Sequence, residues 1–339
     1  MKLLCYADLQ ATDGDELCFG RPNTTLQHYR VERFFDDMAR IYAEHDCDGV
    51  VDLGDTTDDR SSIPIPTLEF LGSGMAKLPE GDRWKITGNH EQYLRDTTVN
   101  NRRLFDHSFH VVDGKQIQMM GDWAAFFVSY PADHGELTEW LVKEARRIRA
   151  PKILFGHFQV EGAFYQAGKA MSGVPLDALQ PFSLVLLGHI HIPQSLTPKV
   201  HYVGSPFQQD WGETGQTKRV GIVNTNTMKV EWVPLTGYPE YRVVTLDEFK
   251  KLSEQQTEHR YRVKLNSHEE TEQFFQHPHF NRATAEYNYD ETPAEPGTEN
   301  QDWSFEGTCR RYLKMVPPAK VGIELSNDEM LEMTKLIVG

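Results

Sequence analysis

No apolar run in this 339-residue chain approaches the roughly 20 residues needed to cross a bilayer. The opening stretch, Met1-Lys2-Leu3-Leu4-Cys5-Tyr6-Ala7-Asp8, has too short an apolar part for a signal peptide, and Asp8 interrupts it. Cytoplasmic residence without a membrane is therefore expected. Cysteine is sparse: Cys5, Cys18, Cys47 and Cys309 include no C-x-x-C pair, so neither a disulfide framework nor an oxidising compartment is indicated. Cys5 and Cys47 lie in or near apolar strand segments and read as small core residues. Positive charge is in deficit, 35 Lys and Arg against 50 Asp and Glu, giving a net charge of −15. That counts against simple electrostatic binding to DNA, although a bound metal or a cationic partner adds positive charge that a residue count omits. Also missing are a G-x-S-x-G elbow, a Walker-type loop, a G-x-G-x-x-G after a strand and any repeat of fixed period.

What is present is ordinary for a globular protein, 39% hydrophobic and 25% charged, and long enough for one large domain plus a smaller one. The first two hundred residues alternate apolar strand-like runs with amphipathic stretches, a βαβ pattern. Strands are expected at Lys2–Ala7, Gly49–Leu53, Arg83–Thr87, Lys152–Phe155 and Ser183–Leu187, with helices over 26–45 and 135–149. From His201 to Pro234 the runs read as antiparallel strands completing a second sheet. Residues 240–290 read as a small α+β module of strand 241–245, helix 247–256, strand 259–265, helix 267–276 and strand 282–288. Domain bounds of 1–236 and 237–290 follow. The stretch 291–302 lacks aliphatic core residues and reads as a linker. Apolar character returns in 303–339, a segment suited to docking.

Five short segments follow strand-like runs: Asp8-Leu9-Gln10, Gly54-Asp55, Gly88-Asn89-His90-Glu91, Gly156-His157 and Gly188-His189-Ile190-His191. Each alone reads as a turn. Together they offer two carboxylates, an amide oxygen and three imidazoles, with His90 in addition. That is a ligand set for two divalent ions held close together, where one carboxylate must bridge. Glycine before Asp55, Asn89, His157 and His189 permits a sharp turn and close backbone approach. Gly72-Ser73-Gly74 reads only as a turn after a helix. His28, His45, His107, His110, His134, His201, His259, His268, His277 and His279 read as surface or loop residues.

The five segments, in this order over residues 1 to about 210, resemble the D-x-H, G-D, G-N-H-[DE], G-H and G-H-x-H pattern of calcineurin-like metallophosphoesterases. The resemblance implies an α/β fold, a four-layer αββα sandwich with a small α+β capping domain and a C-terminal helical tail. It also implies two divalent metal ions, Mn2+ being the expected choice. Carried across, Asp8, Gln10, Asp55 and His191 hold the first ion, and Asp55, Asn89, His157 and His189 the second, with Asp55 bridging. Position 10 departs from the pattern. Glutamine offers a neutral carbonyl oxygen, a harder donor than imidazole, which implies weaker binding, faster exchange or a manganese preference at the first ion. His90 is implied to be catalytic, stabilising the transition state or protonating the leaving oxygen. A hydroxide held between the ions is the implied nucleophile.

The run Tyr202-Val203-Gly204-Ser205-Pro206-Phe207-Gln208-Gln209-Asp210-Trp211-Gly212-Glu213 resembles the Y-x-G-S-[PT] … [FW]-x-E segment of SbcD-type double-strand-break nucleases, phage-encoded members included. That resemblance implies a manganese-dependent DNA exonuclease and endonuclease in a recombination and repair complex. It further implies a homodimer whose C-terminal segment docks on an SMC-like ATPase of the SbcC type. A stand-alone metallophosphatase or small-molecule phosphodiesterase keeps the same site, and would lose no activity on deletion of residues 300–339. A non-catalytic scaffold would bind no stoichiometric manganese. Arg60, Arg95, Arg102 and Arg103 lie on or after the metal loops, where DNA contacts and solvated arginines are equally at home.

Overall fold

Alternation along the strands sets the layering. In β1 (Lys2–Tyr6) the side chains of Leu4 and Tyr6 enter one core and those of Leu3 and Cys5 another, and all four are buried. The computed structural model describes residues 1–14, 25–94, 99–165, 169–170, 172–252, 259–280 and 283–288. The linker at 291–302, the segment 303–339, Arg95, Cys18 and Cys309 lie outside these residues.

β1 heads a parallel run with β2 (Gly49–Asp52), β3 (Asp82–Ile86) and β4 (His110–Val112). A second six-stranded sheet has β5 (Lys115–Met120), β6 (Trp123–Val128), β7 (Lys152–His157) and β10 (Leu184–Gly188) as neighbours, closed by β12 (Val200–Tyr202) and β11 (Gln194–Thr197). A short hairpin, β8 (Phe164–Tyr165) with β9 (Lys169–Ala170), stands between β7 and β10 in the chain. Helices α1 (Leu26–Glu44) and α2 (Ile65–Met75) pack on one side of the first sheet through Phe34, Phe35, Met38 and Leu71. Helix α3 (His134–Arg147) packs on the second sheet through Leu137, Leu141 and Ala145. Between the sheets lies a third core that includes Trp84, Phe127, Ile153, Phe155 and Leu186. Each fully buried Phe or Leu contributes about 1.5–3 kcal/mol. The result is the helix, sheet, sheet, helix order implied by the resemblance.

The helices begin where side chains can take up free amides. Thr25 accepts from the His28 amide at 3.2 Å ahead of α1, and Asp133 from the Glu136 amide at 2.9 Å ahead of α3. The buried stripe of α1 runs through His28, Val31, Phe35 and Met38.

Three local expectations are corrected. The runs after residue 217 do not complete the second sheet. β13 (Lys218–Asn224) pairs antiparallel with the free edge of β1, and β14 (Lys229–Leu235) pairs with β13, so both extend the first sheet. Strand pairing is non-local, and here the open edge of β1 supplies the partner. Gly72 and Gly74 are not a turn but sit inside α2, where Gly74 packs so closely on the Phe35 ring that a Cβ there would overlap it. His28 and His201 are buried. His28 stacks on Phe70 at 4.4 Å, and His201 meets Ser195 Oγ at 2.8 Å and the Trp232 ring.

After β14 come β15 (Tyr241–Thr245), α4 (Leu246–Lys250), β16 (Arg260–Leu265), α5 (His268–Gln276) and β17 (Ala283–Tyr287). Their strands form a separate, all-parallel three-stranded sheet. These elements and the two large sheets belong to one compact unit, Met1–Tyr287. Among the described residues no helix is long and apolar enough to cross a membrane.

Candidate metal centre

The carboxyl ends of β1, β2 and β3 in one sheet and of β7 and β10 in the other bring the five predicted segments together, as open α/β sheets do. The loops are laced by backbone bonds, from the Asp8 amide to the Gly54 carbonyl and from the Gln10 amide to the Asp55 carbonyl, both 2.9 Å. Asp8, Gln10, Asp55 and His189 all have positive φ, 54°, 53°, 55° and 88°. Non-glycine residues rarely adopt this region, and such strain is concentrated at functional sites. Two glycines make the close approach possible. A Cβ on Gly54 would lie 2.6 Å from His157 Nδ1, and one on Gly88 would overlap the Asp55 carboxylate.

One ligand atom each from Asp55, His157 and His189 lies within 4.8 Å of the others, close enough to hold one ion. Asn89 joins them, its Oδ1 being 3.2 Å from His157 Nε2 and 2.6 Å from His189 Nδ1. His157 Nδ1 is bonded to the Leu53 carbonyl at 2.7 Å, which leaves Nε2 facing Asp55 Oδ2 at 3.2 Å. On the other side, Gln10 Nε2 lies 3.4 Å from Asp55 Oδ2 and 3.3 Å from His191 Nε2. Turning the amide over puts the carbonyl oxygen at that point. His191 Nδ1 is taken by Glu213 Oε1 at 3.0 Å. Asp8 Oδ1 accepts from the His189 amide at 2.8 Å, while Asp8 Oδ2 is buried and has no hydrogen-bond partner.

That orphaned oxygen tests whether a cation fits. A buried carboxylate oxygen without a partner is costly, and burial raises the Asp8 pKa to about 6 against the pull of His157 and His191. Burial and the neighbouring His157 push His189 down to about 3. Burial opposes charge on His157 as well, but Asp55 raises it to about 9. Asp55 itself, despite burial, is held well below the carboxylate range by His157 and then His90. An arrangement of oxygen and imidazole donors that disturb one another in this way fits divalent first-row ions.

His90 is partly exposed. Its amide donates to Asp55 Oδ1 at 2.8 Å and its Nδ1 meets the Asp58 carbonyl, with the Asp58 carboxylate at 3.4 Å. Asp58 is a partner the sequence does not disclose.

Two buried ion networks behind the ligands are likewise absent from the sequence reading. Glu91 accepts the amides of Gly88 at 2.7 Å and Asp55 at 2.9 Å, and Lys85 lies between Glu91 and Asp52 at 3.2 and 3.3 Å. Glu213, buried behind His191, is bonded to Lys218 Nζ at 2.6 Å and Ser205 Oγ at 3.1 Å. The first network rests on strand register, Asp52 standing opposite Lys85 on β2 and β3. Of the arginines considered for DNA contact, Arg102 and Arg103 are exposed in a 3₁₀ turn and Arg60 is half-buried.

The model of the calcineurin-like phosphoesterase family matches residues 1–193. The chain is 22% identical over 198 residues to exonuclease subunit 1 of Enterobacteria phage T4, covering 54% of this chain and 55% of that protein. The chain thus spans little more than half the length of the curated relatives it matches. Among solved structures, a dimetal phosphatase from Danio rerio is 12% identical with a TM-score of 0.41, over 70% of this chain and 99% of that one. The nuclease MPE of Pseudomonas putida is 17% identical with a TM-score of 0.30, over 68% and 87%.

Proposed function

Because this chain belongs to the calcineurin-like phosphoesterase family, we propose that it hydrolyses DNA phosphodiesters, as a manganese-dependent exonuclease and endonuclease. In this reading it is the nuclease subunit of an SbcCD-like recombination and repair complex in the cytoplasm. The run from Tyr202 to Glu213 carries the proposal. Its likeness to the SbcD-type segment is matched by a role at the site, where Glu213 backs His191 and the Tyr202 hydroxyl bridges the Phe158 carbonyl and Val160 amide at 2.9 Å each. The exonuclease name of the phage T4 relative supports the same reading.

Asp8, Gln10, Asp55 and His191 would hold one ion, and Asp55, Asn89, His157 and His189 the other. Bound there, the ions supply Lewis-acid charge and a nucleophile at neutral pH. The protein's own part is orientation and proton handling. His90 Nδ1 is tied to Asp58, which leaves the partly exposed Nε2 to meet a phosphate oxygen or the leaving oxygen. The small module from residue 237 would act as the cap, and residues 303–339 would dock on an SMC-like ATPase. A homodimer completes the proposed complex, and the cationic partner would offset the −15 charge when DNA binds.

The test is manganese-dependent nucleotide release from end-labelled duplex DNA, beside a His189→Ala control. Release that vanishes in the control is the expected result. DNA left intact both alone and with an SbcC-type ATPase, while a small phosphoester is hydrolysed, would favour the phosphatase reading. A second expectation concerns position 10. Gln10→His should tighten Zn2+ binding at the first ion relative to Mn2+ by about ten-fold or more, read by calorimetric titration, since imidazole suits zinc and a carbonyl oxygen suits manganese. An unchanged or reversed preference would remove Gln10 from the ligand set.

A further inference from the structure

The small module meets the core on the same turn that backs His191. Trp211–Glu213 is a 3₁₀ turn with Glu213 on its buried side. Besides His191, Ser205 and Lys218, Glu213 accepts the Gln209 amide at 3.0 Å. On the other side, the Trp211 ring meets the Tyr241 ring edge-on at 5.0 Å and lies under the Arg262 guanidinium at 4.3 Å. Tyr241 and Arg262 belong to β15 and β16 of the module. Tyr241 adds two bonds to the same segment, from its hydroxyl to the Gln209 carbonyl at 2.9 Å and from its amide to Gln208 Oε1 at 2.7 Å. Gln209 is therefore bonded to the module through its carbonyl and to Glu213 through its amide. A tightly bonded segment of this kind passes on a displacement instead of absorbing it.

We propose that the Trp211–Glu213 turn is a positioning element through which the small module sets the orientation of His191, and so the affinity of the metal site His191 serves. Glu213 is the positioning residue, fixing the imidazole through Nδ1 so that Nε2 faces Gln10. Outer partners of metal-bound histidines are worth about 10–100-fold in affinity. The inference rests on His191 being a ligand and is independent of the substrate. By linkage, metal at this site also favours the seated module to the same degree.

The experiment is calorimetric titration of the full chain with Mn2+, resolving the two sites, for Glu213→Gln and Arg262→Ala. Glu213→Gln should weaken one site about 10–100-fold and leave the other within two-fold. Arg262→Ala touches no ligand and lies on the partly exposed side, so it keeps the fold. It should weaken the same site about two- to ten-fold, the ceiling being what a single cation–π contact is worth. Arg262→Lys, which keeps the cation, should restore part of the loss. An Arg262→Ala protein in which both sites weaken alike, or neither changes, overturns the coupling. This readout is metal affinity, so failure of the DNA assay leaves it intact.

Discussion

Asp55→Asn should cost roughly a thousand-fold or more in hydrolysis of any phosphoester and should reduce the chain to at most one tightly bound divalent ion. Asp55 is the side chain the two halves of the site have in common. Its Oδ2 lies 3.2 Å from His157 Nε2 and 3.4 Å from Gln10 Nε2, and its Oδ1 accepts the His90 amide at 2.8 Å. Asparagine preserves the shape and tolerates the left-handed backbone at φ 55° better than most residues. What it removes is the charge, and with it the means of holding two cations together. Several kcal/mol of charge stabilisation at 1.36 kcal/mol per decade sets the scale. The check is hydrolysis of bis(p-nitrophenyl) phosphate together with bound-metal analysis. A variant that binds two divalent ions as tightly as the parent, or keeps a tenth of the activity, would show that Asp55 is not shared.

That these side chains would meet was legible because each depends only on its own segment. A strand that ends in Gly-Asp or Gly-His presents that side chain at the sheet's carboxyl edge wherever the strand lies. Sheet membership was not legible in the same way. β13 carries Val220, Ile222 and Val223 and would suit either sheet, and its placement follows from the open edge of β1 some 200 residues away in sequence. The burial of His28 could have been read from its spacing, three residues before Val31 and seven before Phe35 on the apolar stripe of α1. Glu213 stood inside a run already singled out, yet its contact with His191 spans 22 residues and needs the loop's path. Lys85 was hidden for a different reason. In the sequence it follows Asp82 and Arg83 in a strand whose apolar residues are Trp84 and Ile86, and alternation suggests solvent on its side, whereas loops 54–57 and 88–91 close over it.

Lys85→Met is expected to destabilise the fold by about 3–5 kcal/mol, the cost of leaving a buried charge without its partner. Lys85 is fully buried, and its ammonium lies 3.3 Å from Asp52, 3.2 Å from Glu91 and 4.5 Å from the centre of the Phe105 ring, with Thr56 Oγ1 in contact. The two carboxylates it neutralises fasten both metal loops. Asp52 accepts the Gly54 amide and the Thr56 hydroxyl, and Glu91 accepts the amides of Asp55, Thr56 and Gly88. Methionine fills the space but leaves two negative charges facing one another out of water, so the loops that carry Asp55 and Asn89 should loosen along with the global loss. Burial alone would lower the Lys85 pKa, but Asp52 and Glu91 raise it above the ordinary 10.5. Its charge therefore contributes fully below that value and is lost only as the pH climbs through the raised folded one. Thermal denaturation should show a fall on the order of 10 °C. Adding Asp52→Asn and Glu91→Gln to Lys85→Met should recover part of it, because a network neutralised as a whole costs less than one stripped of a single member. A Lys85→Met protein within about 1 kcal/mol of the parent would mean that water reaches these carboxylates, and that the metal loops are held by their backbone bonds alone.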